Sequence, residues 1–74
     1  MKMGIPHETV QTIEIPLTIS LKDARAWLKS EGYAWRYMRK TVHYRRFMQV
    51  PPIKDAEYHS KVLNNGIIIV YQRW

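Results

Sequence analysis

From Val10 the chain alternates apolar and polar residues with period two. Ile13, Ile15, Leu17 and Ile19 fall on one face; Thr12, Glu14, Pro16 and Thr18 fall on the other. That period predicts a half-buried strand. Pro16 has no N–H to give to a ladder, so the strand is expected at a sheet edge or with a bulge. The period then changes. Ser20-Leu21-Lys22-Asp23 resembles a capping box with Asp in place of Glu, and Asp23 suits the positive end of a helix dipole. Leu21, Ala24, Trp27 and Leu28 form an apolar stripe at helical spacing. Gly32 fits the position just past a helix end, so the spacing predicts a helix from Leu21 to about Glu31.

Beyond Gly32 the pattern returns to strands. Tyr33 to Met38 and Val42 to Val50 are aromatic and β-branched. Arg39-Lys40-Thr41 between them is short enough for a hairpin turn, which would put Arg39 and Lys40 at a solvated tip. Pro51-Pro52 ends the second run. Ile53 to Glu57 reads as loop and Tyr58 to Leu63 as a weaker strand. Asn64-Asn65-Gly66 is a hairpin turn signal, because Asn and Gly tolerate positive φ. Ile67 to Tyr71 is apolar throughout and predicts a central strand covered on both faces.

The expected fold class is α+β. It is a single small domain ordered β-α-β-β-β-β, a mostly antiparallel sheet with one helix packed on one face. Residues 1–8, with Gly4 and Pro6, read as a flexible lead-in, and residues 9–74 as the domain. The first two strands flank the helix, so if they share a sheet directly their crossover should be right-handed. One helix cannot cover both sides of a sheet, so the opposite face is left for solvent, a second copy or a ligand.

At 74 residues the chain is near the lower size limit for a lone core. It has no cysteine, so no disulfide staples it and no thiolate can hold a metal. That usage fits a reducing, intracellular location. No apolar run approaches the roughly 18 residues of a membrane span. Met1 to Pro6 lacks the apolar core of a secretory signal.

Charge sharpens the picture. The net charge is +6, and the stretch from Gly32 to Lys54 carries all of it, because the remaining cations and acids cancel. This stretch holds no acid. It holds Arg36, Arg39, Lys40, Arg45, Arg46 and Lys54, interleaved with Tyr33, Trp35, Tyr37, Tyr44 and Phe47. Cations neutralise phosphates and rings stack on bases, so the pattern points to nucleic acid, DNA or RNA. The expected phosphate contacts are Arg36, Arg39, Lys40, Arg45 and Arg46. The expected stacking platforms are Trp35, Tyr37 and Tyr44. Alternation limits the idea: a hairpin puts only half of these on one face. If Phe47 enters the core, Tyr44 and Arg46 turn outward.

Catalysis finds little footing. Ser20 is explained as a helix cap. His59 and Ser60 are neighbours that a strand would point to opposite sides. His7, His43 and His59 show no metal-ligand spacing, and the glycines at 4, 32 and 66 make no phosphate loop. No enzyme activity, cofactor or small-molecule substrate is expected. Asp55 and Glu57 read as loop solvation. Trp74 is expected to dock on a neighbouring subunit, to fold over the open sheet face, or to cap the sheet edge. The alternative function is a protein–protein module, self-associating as a homodimer or directed at a host factor, because Tyr, Trp and Arg also dominate interface hot spots.

The run Thr41-Val42-His43-Tyr44-Arg45-Arg46-Phe47-Met48-Gln49 is similar to a Thr-x-Asn-Tyr-Tyr-Arg-Phe-Arg-Gln segment in small uncharacterised proteins of large eukaryotic DNA viruses. Leu21 to Leu28, Gly32-Tyr33 and Gly66 to Tyr71 extend the resemblance. It departs at His43, Arg45 and Met48, and the missing second Arg weakens a continuous arginine row. The resemblance implies a small viral α+β protein and brings no activity with it.

Overall fold

Ser20 begins the helix in the manner its sequence predicts. In the computed structural model, which describes residues 7–74, Ser20 is extended and its Oγ accepts the Asp23 N–H at 3.1 Å. Helix α1 then runs Leu21–Ser30. Its end is set by Gly32, whose φ of +79° is open to glycine and strained for other residues. That turn lets Tyr33 N–H reach Leu28 O at 2.8 Å and Gly32 N–H reach Lys29 O at 3.1 Å. These two bonds form a Schellman motif and satisfy carbonyls the helix leaves free.

Five strands form one sheet: β1 Glu8–Pro16, β2 Met38–Lys40, β3 Tyr44–Met48, β4 Glu57–Val62 and β5 Ile68–Arg73. Their order is β2-β3-β1-β5-β4 and every pair is antiparallel. The helix covers one side. Ile13 and Ile15 of β1, Phe47 of β3 and Ile67 just before β5 cluster there with Ala24 and Leu28, and Ile69 of β5 is buried on the same side. Each large apolar side chain so buried stabilises the fold by about 1.5–3 kcal/mol. The α+β class with one helix on one face is therefore as the sequence predicts.

Several boundaries and placements differ from the expectation. Strand β1 is no edge strand; it lies between β3 and β5. The bulge falls between Val10 and Thr12, while Pro16 is the last residue of the strand, where a missing N–H costs little. The strand ends at Pro16, although Leu17 N–H still reaches His43 O at 3.1 Å, and Ile19 leaves the ladder, its N–H bonding Pro16 O at 3.0 Å as the chain turns toward the helix. β1 and β2 are not neighbours, so the crossover rule has nothing to act on. Strand β5 is interior; Ile69 is buried on its helix side, while on the other side Gln72 is buried beneath the crossing segment and Ile68 and Val70 are half-buried. At the start of the ladder, His7 and Trp74 exchange both backbone bonds, at 3.0 and 2.9 Å. Glu8 already belongs to β1; the rest of the lead-in, residues 1–6, lies outside the described residues.

The β2–β3 hairpin is shorter than its sequence suggested, and its turn lies further along. Thr41 N–H bonds Tyr44 O at 2.7 Å, and Thr41 Oγ1 accepts from Tyr44 N–H at 3.2 Å. The chain thus reverses through Val42-His43, and Arg39 and Lys40 are ladder residues instead of a tip. Residues 33–37 stay out of the strand because Gln49 holds them elsewhere. Its Oε1 accepts Ala34 N–H at 2.7 Å, and its Nε2 donates to Ala34 O at 2.9 Å.

From β3 the chain must pass β1 and β5 to reach β4. Two buried glutamines fasten this crossing. Gln11 Nε2 donates to Val50 O at 3.2 Å. Gln72 accepts from Ile53 N–H at 3.0 Å and donates to Pro51 O at 3.1 Å.

Candidate nucleic-acid interface

Antiparallel register decides what the side away from the helix presents, since residues directly opposite share a face. One row runs Arg39, Arg46, Glu14, Ile68 and Val62 across all five strands. The next runs Met48, Thr12, Val70 and Ser60. Tyr37 stands at its β2 end, where Tyr37 O accepts Met48 N–H at 3.3 Å. A third row holds Thr9, Gln72 and Tyr58.

Some members of these rows line a trough of about 740 Å³. Thr12, Met48 and Val70 form its base; Arg39 and Arg46 line one end, Tyr58 and Pro52 the other, and Tyr37 one side. Tyr37 is 72% exposed and Tyr58 47%. Tyr58 Oη donates to Ile53 O at 3.4 Å, which ties that ring to the crossing segment.

The arginine end is electrostatically unusual. Arg39 faces Arg46 directly across the β2–β3 ladder, and Lys40 faces Arg45 in the next rung on the helix side. Like charges in directly opposed positions destabilise a hairpin. Each pair has partial relief. Arg46 Nε stands 3.0 Å from Glu14 Oε2, a Coulombic contact whose N–H is misaligned for a hydrogen bond. Arg45 donates from one terminal nitrogen to Ile19 O at 2.7 Å. That second contact anchors the turn feeding the helix and gives Arg45 a structural role.

The residues expected from sequence therefore separate. Arg39, Arg46 and Tyr37 line one trough. Tyr44 shares the open face by alternation but is half-buried, opposite Pro16. Arg45 and Lys40 lie on the helix side. Trp35 packs against the edge of the core, with Lys29 Nζ 4.1 Å from its ring centroid and the Arg36 guanidinium 5.4 Å away. Two cations thus lie over the half-buried ring, where a base would have to displace them to stack, and Arg36 is turned toward Trp35. Trp74 neither folds over the trough nor stands free. It extends the β1–β5 ladder and its ring stacks on His7 at 5.6 Å.

Sequence reasoning missed Thr12, Val70, Tyr58 and Pro52 as parts of one surface. The polar half of each strand's alternation was the available signal, but only strand order brings those halves together. Among the described residues no three His, Cys, Asp or Glu side chains gather as metal ligands. No helix among them is long and apolar enough to cross a membrane. Comparison with known protein families, curated proteins and solved structures finds no match to this chain.

Proposed function

We propose that the protein binds single-stranded nucleic acid along the open sheet face, without catalysing a reaction. The observation that carries this reading is the opposed pair Arg39 and Arg46 on the face the helix leaves bare. One carboxylate, Glu14, attends the pair. A phosphate seated between the guanidiniums would supply the missing counter-charge, and Arg forks suit phosphate oxygens. Tyr37 beside them presents a largely exposed ring for an unpaired base, with Met48 and Val70 as an apolar floor. Lys40, Arg45 and Arg36 stand off this face and contribute field more than contact. Base-edge reading has little support from these groups, so sequence preference should be modest.

Fluorescence anisotropy with a labelled 12-nucleotide strand tests the reading. Affinity should fall steeply between about 50 and 200 mM salt, and Arg39→Ala should reduce the log–log salt slope by about one. Absence of binding at low salt, or binding indifferent to salt, would sink it.

The other half of the face supports a second reading. Ile68, Val62 and Val70 make an apolar patch next to Tyr58, which suits a protein partner. Such a partner would bind with weak salt dependence and would be insensitive to Arg39→Ala.

A further inference from the structure

Strand β4 ends the sheet, and all six of its residues are exposed. Among the described residues no strand pairs with its outer edge. Long unpaired edges are templates for another strand unless something blunts them. Here the blunting devices are scarce: Glu57–Val62 contains no proline, and one lysine, Lys61, stands in it.

The backbone pattern fixes which groups face outward. Leu63 donates to Ile67 O at 2.8 Å, so that rung is a hydrogen-bonded one. Alternating from it, the backbone groups of Lys61, His59 and Glu57 turn toward β5. Those of Tyr58, Ser60 and Val62 therefore point to the free edge. The side chains of Glu57, His59 and Lys61 lie on the helix side of the sheet, in line with the buried Ile69.

We infer that this edge pairs with the same edge of a second copy, antiparallel about a two-fold axis at His59. This register sets Tyr58 opposite Ser60 of the second copy, so outward-facing groups meet outward-facing groups. It also sets Glu57 opposite Lys61 of the second copy, and by symmetry Lys61 opposite Glu57. Both pairs occupy non-hydrogen-bonded positions, where side chains approach most closely. Centring the axis on Ser60 instead would set Lys61 against His59 and leave Glu57 facing Leu63, with no opposite charges matched. Charge complementarity thus selects the second copy as occupant and His59 as the axis. The open faces of the two sheets become continuous, and Tyr58 of one copy lies diagonal to Val62 of the other. The seam is short beside the roughly 1,200 Å² of an ordinary stable interface, so the dimer is weak and concentration-dependent. It lies at the opposite end of the sheet from Arg39 and Arg46, and neither proposal depends on the other.

Sedimentation equilibrium on the full chain tests the inference. The unaltered protein should associate reversibly to a dimer. Glu57→Lys alone and Lys61→Glu alone each place like charges opposite one another twice, and each should weaken association roughly tenfold or more. Mixed together, the two variants should form a heterodimer, because the lysines of one then meet the carboxylates of the other in both pairs. Ser60→Pro removes an outward N–H only, a substitution edge strands tolerate, and should give a folded monomer. A monomeric unaltered protein, a dimer indifferent to Ser60→Pro, or single variants whose mixture fails to pair would each overturn the inference.

Discussion

Arg39 stands directly across an antiparallel rung from Arg46, on the sheet face without a helix. A fold selected for stability alone would place opposite charges or apolar groups there. Arg39→Glu should therefore stabilise the hairpin, by about 0.2–1 kcal/mol in urea unfolding. The same change should weaken oligonucleotide binding well beyond the effect of Arg39→Ala. A variant that gains stability and keeps full binding would separate the opposed pair from function.

Gln49 bonds both backbone groups of Ala34 and also donates to Phe47 O at 3.2 Å. Gln49→Ala removes three bonds at once. With about 0.5–1.5 kcal/mol net for each, and part of the backbone rehydrated, the loss should be about 1–3 kcal/mol. Faster hydrogen exchange at the Ala34 amide would mark the release of the segment that carries Tyr37. Unchanged exchange there would show that packing of Trp35 and Tyr33 suffices to hold it.

The elements written in local chemistry were legible in the sequence. Ser20 and Gly32 bracket a helix through groups within a few residues of each other. Phe47 as a core residue correctly turned Arg46 outward. Asn64-Asn65-Gly66 marked the final hairpin because only certain residues accept its φ angles. What escaped was decided by distant partners. Pro16 pointed to an edge or a bulge; β1 has a bulge between Val10 and Thr12 but is central, because its two sides are taken by strands that come much later in the chain. Trp35 looked like a platform until Lys29, from the helix, lay over it. Gln49 cut β2 short through a contact fifteen residues away in sequence, which no local pattern records. The trough was hidden for the same reason: its residues come from all five strands and a crossing segment.

Gly66 has φ +86°, and a Cβ built there would sit 3.3 Å from Pro16 Cγ. Gly66→Ala should cost the left-handed strain of about 1–2 kcal/mol plus a crowding term. Gly32, at φ +79° with nothing within 4 Å, should show the strain alone. Combining Gly66→Ala with Pro16→Ala should recover the crowding part in a double-mutant cycle. Additivity of the two changes would deny the contact.

Gln72 is 1% exposed and serves the crossing segment as both acceptor and donor. Gln72→Leu keeps the size but strands Ile53 N–H and Pro51 O. The expected loss is about 1–3 kcal/mol for each group left without a partner, less whatever water reaches. Thermal unfolding would report it, and protease cleavage between residues 51 and 56 should accelerate. Loss of stability without new cleavage would mean that the crossing is held by Gln11 and Tyr58 instead.

Strand β1 pairs with β5 across the longest separation in the sheet, 65 residues between Glu8 and Arg73. A ribosome therefore releases the middle strand of the sheet first and its interior neighbour last. Until β5 emerges, β1 has one bare side and β4 has no neighbour at all. Such topology makes folding slow for a chain of this size, because loop closure must precede the contacts that reward it. Nascent chains stalled before Ile68 should thus be sticky and chaperone-bound, and become protease-resistant only after β5 clears the exit tunnel.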